Sequence, residues 1–367
     1  MKNKIYFENL DGLRSIAALS VVCYHIALRI PDKSSFDYYI KKIISFSGTT
    51  GELGVIFFFI LSGFIISYLL FNEKEVNGKI NIFKFYIRRS LRIWPLYYFT
   101  LIIGFVIYPL YDPEVTINAS PIYFSLFLAN FDQIYHGDPG IAILGVHWSL
   151  AVEEQFYLLW PLIFLFKKKK IKLILIVTSF VLSGLFYYKY SSNLIIGYFH
   201  FFSCIRYLGF GAIIAFISYY KMNWIVWMFS KLSKLTTFAI YATCISILFF
   251  HVQLSPNVIF NYLLELLPFA FFSFVILDQN FNDRSFFKMR NFRLLTQMGK
   301  ISYSIYLTHM IAIYLVNQLF LWNGDFFLLK SIITIILTIM ISFLSYKFIE
   351  APFIKKKIKY NSMKVLT

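Results

Sequence analysis

Long apolar runs separated by short polar ones dominate the chain, and about 20 predominantly apolar residues are what one membrane-crossing helix needs. Ten such runs stand at 11–30, 52–72, 91–110, 147–166, 171–188, 194–218, 235–251, 257–277, 299–321 and 327–349. The pattern predicts an all-α, polytopic integral membrane protein with about ten transmembrane helices around a central cavity. The stretch from Pro121 to Phe131 is too short to cross and reads as a re-entrant or interfacial piece. The first run follows Lys2 and Lys4 as a signal peptide would. Arg14 and His25 interrupt it, however, and no small-residue cleavage site follows, so it reads as a permanent helix. With no Pro/Gly/Ser linker, repeat or long polar extension, the expectation is one membrane domain over 1–367, its core at about 9–353.

Charge changes this picture by where it lies. A net charge of +17 from 35 Lys and Arg against 18 Asp and Glu points, in a soluble protein, to nucleic acid. Here 59% of residues are hydrophobic and 14% charged, which leaves membrane lipid as the surroundings and argues against a nucleic-acid partner. If the N-terminus is cytoplasmic, 27 of the 35 basic residues fall in inner segments, and an even number of helices returns the basic C-terminus to the same side. The outer stretch 111–146 has no Lys or Arg but carries Asp112, Glu114, Asp132 and Asp138. Both termini are therefore expected in the cytoplasm. The Lys-rich, Ile/Phe-heavy usage suggests a bacterial inner (plasma) membrane. Three cysteines in apolar stretches offer neither a disulfide framework nor a zinc pattern, and no metal is expected.

Ionisable groups at membrane depth are costly and usually face a protein interior or an aqueous cavity. Arg14 and His25 are 11 residues apart in the first run, which at 100° and 1.5 Å per residue puts both on one face with a rise of roughly 16 Å. Such a pair suits an anion at the inner mouth and a proton acceptor deeper in; the alternative is a snorkelling arginine and a satisfied interior histidine. In the segment Phe85 to Pro95, Arg89 and Arg92 share a helix face with Arg88 beside them. Guanidinium forks fit phosphate, although arginines at a membrane boundary also bind headgroups or set orientation. The fourth run opens His147-Trp148-Ser149-Leu-Ala-Val-Glu153-Glu154, and Glu153, roughly 9 Å along from His147, is at a depth that suits contact with His25. It either holds the tautomer of a histidine or ties helices together. Arg206 forms part of an anion site or neutralises a carboxylate, and His309 lines a cavity or packs. Glu265 and Glu350 are further polar groups at depth, whereas His200 and His251 read as interfacial.

The order of these motifs is more specific than any one of them. Arg14 with His25, the Phe-Phe-x-x-Ser-Gly-Phe64 run, Arg89-x-x-Arg92-Ile-x-Pro95, Trp148-Ser149-Leu-x-x-Glu153, Ser-Tyr-Ser-Ile-Tyr-Leu-Thr-His309 and Glu350-x-Pro352 together resemble the acyltransferase 3 family of membrane O-acyltransferases. The likeness runs from about Asn9 to Phe353. It implies transfer of an acyl group, usually acetyl, from cytoplasmic acetyl-CoA or another acyl-CoA to a hydroxyl of a glycan or glycolipid. Acceptors of bacterial relatives include lipopolysaccharide O-antigen, peptidoglycan and exopolysaccharide. Some relatives add an SGNH-type domain after the membrane domain; with the sequence stopping at Thr367, none is expected here.

The resemblance makes His25, Arg14 and Glu153 the expected catalytic residues and Arg89 and Arg92, with Arg88 beside them in the sequence, the expected phosphate ligands of the donor. It also places Trp148 and Ser149 on the substrate side, where the polar groups at depth Arg206 and His309 are expected as well, and attaches no chemistry to Trp94 or His147. The rival reading is a proton-coupled transporter or flippase, since buried His, Arg and Glu among many spans also describe a carrier. No inverted repeat supports it. A non-catalytic membrane scaffold is the third reading.

Overall fold

The structure is a computed structural model that describes residues 6–29, 38–39, 48–250, 258–319, 327–357 and 360. For 48–50, 249–250, 258–265 and 357 it describes the backbone alone, so the side chain of Glu265 lies outside the description, as does all of His251. Among the described residues the chain is helical and contains no strand, as the apolar runs predict.

The principal helices are α1 (Glu8–Arg29), α2 (Gly48–Asn77), α3 (Ile82–Ile102), α4 (Ala129–His136), α5 (His147–Ile163), α6 (Lys169–Lys189) and α7 (Leu194–Phe199). They continue with α8 (Phe201–Tyr220), α9 (Met222–Ser230), α10 (Lys234–Phe250), α11 (Val258–Phe281), α12 (Arg293–Lys300), α13 (Ser302–Leu319), α14 (Phe327–Ser345) and α15 (Ala351–Lys357). Helices thus stand at all ten predicted places. Among the described residues six stretches are long and apolar enough to cross a membrane: Glu8–Arg29, Gly51–Asn77, Ile82–Tyr111, Lys169–Lys189, Leu194–Tyr220 and Phe327–Lys356. Among the described residues this does not confirm the expected count of ten. At α5 the helix has only 17 residues and carries two glutamates. The third expected span, 91–110, is the greater part of one longer helix: the arginine segment is continuous with it, from Ile82 through a π-helical turn at Ile103–Ile107 to Tyr111.

Packing divides the chain into two compact units. The first comprises Met1–Leu69, Phe210–Ser302 and Trp322–Ser331. There α1 is fixed at its start by Asn9, whose Nδ2 donates to the Gln279 carbonyl (2.7 Å) and whose Oδ1 accepts from the Arg290 N–H (2.9 Å). Gln279 belongs to a buried polar cluster around Asp278, which accepts from Tyr241, Asn282 and Ser285. Every donor in such a cluster must find an acceptor, so the end of α11 and the loop after it are held in one arrangement. Beside α1, Gly54 of α2 comes so close that a Cβ there would sit 2.6 Å from Ser20 Oγ and 2.8 Å from the Ala17 carbonyl oxygen.

The second unit comprises Leu70–Gly209, Tyr303–Leu321 and Ile332–Thr367. In it the end of α2 and the start of α3 form a hairpin. Gly78 takes the left-handed conformation (φ 68°) that a residue past a helix C-terminus favours. Asn81 then caps α3 by accepting from the Lys84 N–H at 2.9 Å. Glu73, buried in the last turns of α2, accepts from the Asn81 N–H (2.9 Å) and pairs with Arg88 (3.0 Å). The short piece after Pro121 is a single turn, Pro121–Ser125, followed by α4, and as expected it does not cross.

Candidate active site

In the first unit the expected pair sits on α1. Arg14 donates to Asp11 Oδ1 at 3.1 Å, and the same carboxylate accepts from the Tyr6 hydroxyl. Asp11 is buried while Arg14 keeps about a third of its side chain exposed, so the guanidinium is aimed by a buried carboxylate and still reaches outward. His25 is half-buried, and its Nδ1 lies 3.0 Å from the Val21 carbonyl oxygen. A carbonyl only accepts, so Nδ1 carries the proton and the lone pair of the neutral ring is on Nε2. An i to i−4 contact thus fixes the tautomer that a general base attacking through Nε2 requires.

In the second unit the segment from Tyr303 to His309 is a hub. Tyr303 donates to the Ile93 carbonyl on α3 at 2.7 Å, one residue past Arg92. Ser304 donates to Glu350 Oε1, and Glu350 Oε2 is 3.6 Å from Arg92 Nη1. The Tyr306 hydroxyl lies 2.6 Å from Ser149 Oγ and donates to the Val146 carbonyl at 3.2 Å. Glu350 closes a π-helical turn, Tyr346–Glu350, just before Pro352, and its carboxylate is wholly buried. The extra residue of such a turn re-aims a helix face, and here it turns the carboxylate towards Arg92.

The three arginines of α3 occupy different surroundings. Arg88 is engaged within the fold, paired with Glu73 and donating to the Tyr360 carbonyl at 2.9 Å. Arg89 lies over the rings of Phe85 (5.7 Å) and Tyr157 (5.6 Å), a cation–π setting that fixes the guanidinium plane. Arg92 faces Glu350 and keeps about a quarter of its side chain exposed.

On α5, Glu153 accepts from the Tyr157 hydroxyl at 2.6 Å, and Glu154 accepts from the Trp94 indole at 3.1 Å. The two carboxylates do have separate partners, as their offset of about 100° requires. Trp148 is buried against Tyr198 and Phe199. His147, fully buried, has Nδ1 3.2 Å from the Leu144 carbonyl and Nε2 2.9 Å from the Thr100 hydroxyl, a tie between α5 and α3. Arg206 stacks 3.2 Å above the Tyr187 ring and donates to the Tyr207 hydroxyl at 2.7 Å. His309 is buried, with Nδ1 2.7 Å from the Tyr306 carbonyl.

Within the second unit the structure thus joins the arginine, Trp-Ser-Leu, Ser-Tyr-Ser and Glu-x-Pro motifs through α13. Sequence reasoning missed Glu73, Asp11, Ser304 and Tyr306 as partners. Only the Asp11–Arg14 spacing, one helical turn, left a local signal.

Comparison with known proteins agrees with this reading. The profile of an acyltransferase domain family, acyltransferase 3, matches residues 7–347. The O-acetyltransferase OatA of Staphylococcus aureus strain NCTC 8325 / PS 47 is 30% identical over 380 residues, covering 96% of this chain and 58% of OatA. The OatA of strain COL aligns with the same identity and coverage. The chain spans less than two thirds of the length of these relatives. No solved structure matches it. On the extent of the family match, the chain belongs to the acyltransferase 3 family.

Proposed function

We propose that this protein is a membrane O-acetyltransferase that moves an acetyl group from cytoplasmic acetyl-CoA to a hydroxyl of a cell-surface glycan. The observation that carries the reading is His25, whose proton is committed to the Val21 carbonyl so that Nε2 bears the lone pair. As the acceptor oxygen attacks the thioester carbonyl, Nε2 takes the hydroxyl proton; the coenzyme leaves as thiolate and the imidazolium returns the proton to it. Arg14, aimed by Asp11, meets an anionic part of the donor.

In the second unit Arg89 and Arg92 are the phosphate ligands of the coenzyme, and Arg88 fixes the hairpin that presents them. Glu153 positions a hydroxyl of the acceptor. Trp148 and Ser149 shape the acceptor side, and Arg206 and His309 line it. The relatives named O-acetyltransferase support acetyl over a longer acyl group. The basic inner segments support a bacterial plasma membrane with both termini in the cytoplasm. The acceptor then approaches from the side of residues 111–146.

The test is purified protein in lipid vesicles with radiolabelled acetyl-CoA and fragments of the producing cell's own envelope glycan, including O-antigen or exopolysaccharide. Label on glycan hydroxyls supports the proposal. Movement of unmodified glycan across the vesicle without label transfer contradicts it and identifies a carrier.

A further inference from the structure

The second unit contains an ordered histidine that the chemistry above does not use. Asp132 and His136 are one turn apart on α4 and share a face. Asp132 is fully buried, and its Oδ1 accepts from both the Ser120 N–H (3.1 Å) and His136 Nδ1 (3.0 Å). Its Oδ2 is also buried and has no hydrogen-bond partner in the protein.

The carboxylate only accepts, so Nδ1 of the neutral ring carries the proton and Nε2 carries the lone pair. The ring is 46% exposed, so this carboxylate-oriented acceptor points outward from a buried anchor. The surroundings are built as well. Tyr123 meets the ring edge-on at 5.9 Å, and Tyr135, beside it in sequence, is 68% exposed. The turn after α4 is pinned by Asp138 Oδ1 accepting from the Gly140 N–H (2.8 Å) and by the Asn118 N–H donating to the Pro139 carbonyl (3.1 Å). An oriented acceptor beside an aromatic ring on a fixed turn matches the two surfaces of a sugar, its hydroxyls and its C–H face.

We propose that His136, positioned by Asp132, binds the glycan acceptor, its Nε2 accepting a hydrogen bond from a sugar hydroxyl while the Tyr123 ring packs beside it. This rests on the reading that the acceptor approaches from the side of residues 111–146. It adds a recognition point for a polyhydroxylated substrate apart from the reacting hydroxyl.

The experiment measures KM for envelope-glycan fragments and for acetyl-CoA in the wild type, His136→Phe and His136→Gln, with thermal unfolding followed in parallel. Loss of one hydrogen bond to substrate predicts a rise of about tenfold in glycan KM for His136→Phe with acetyl-CoA KM unchanged. His136→Gln keeps an acceptor oxygen and falls between. Equal glycan KM in all three proteins overturns the proposal. So does a matching rise in both KM values or a fall in unfolding temperature that His136→Gln shares, because those mark a structural tie. If the wild type transfers no label, the proposed activity fails instead. Direct calorimetric binding of the same fragments then decides His136: binding weakened in His136→Phe supports its role, and equal binding overturns it.

Discussion

The hydroxyls of Ser149 and Tyr306 lie 2.6 Å apart in the buried part of the second unit, joining two sequence motifs that are 157 residues apart. The Tyr306 hydroxyl also reaches the Val146 carbonyl, so it is anchored at the turn that starts α5. Tyr306→Phe removes the hydroxyl partner of Ser149, which keeps only its 3.4 Å contact to the Val146 carbonyl. The expected loss is about 1–3 kcal/mol of stability, and the double variant with Ser149→Ala costs less than the sum of the two single changes. Thermal unfolding of the four proteins in detergent checks both statements.

Glu350 holds Arg92 and Ser304 together from a wholly buried position. Its removal strands part of a cation, which costs about 3–5 kcal/mol for a fully buried pair and less here because Arg92 is partly exposed. Arg92→Ala, which leaves the wholly buried Glu350 carboxylate without its cation, is therefore expected to destabilise the protein more than Glu350→Ala, whose stranded Arg92 keeps access to solvent. Unfolding midpoints compared at one detergent concentration would show the order, and the reverse order would contradict the arrangement.

The arginines of α3 are expected to separate by phenotype. Arg89→Ala and Arg92→Ala raise KM for acetyl-CoA by about tenfold or more, the loss of one charge-assisted contact each, while glycan KM stays near wild type. Arg88→Ala breaks its pair with Glu73 and lowers the unfolding temperature, with a smaller effect on acetyl-CoA KM. Steady-state kinetics beside thermal unfolding separates them, with Arg92→Ala showing both effects because it also breaks the pair with Glu350.

Gly54 admits no side chain without displacing α1, whose Ser20 and Ala17 stand against it. Gly54→Val overpacks this contact, with an expected cost of about 1–3 kcal/mol and a lower rate, because the same helix carries Arg14 and His25. A wild-type rate and unfolding temperature in that variant would show that the approach can relax.

What could be read from the sequence follows from the range of each interaction. The apolar runs put helices in the right places, because burial in lipid is written in consecutive residues. The run at 147–166 reads as a span by composition, yet α5 is a 17-residue helix. Tautomer control of His25 comes from Val21, one turn away, and is a local property of helix geometry. The Arg92–Glu350 pair joins residues far apart in the chain, and the acceptors of Arg88 are Glu73, 15 residues upstream, and a main-chain carbonyl, which carries no residue signature. Asp132 and His136 are the opposite case. Their i, i+4 spacing is present in the sequence, yet there His136 with His147 and the nearby aspartates suggests only an outer metal site that no ligand spacing supports.

The central claim is that His25 performs the proton transfer, and the most direct measurement is turnover of folded His25→Ala with labelled acetyl-CoA and envelope glycan. A histidine base is worth about 10² to 10⁴ in rate, so turnover should fall by that factor while acetyl-CoA binding and unfolding temperature stay near wild type. Wild-type turnover in the folded variant would contradict the account.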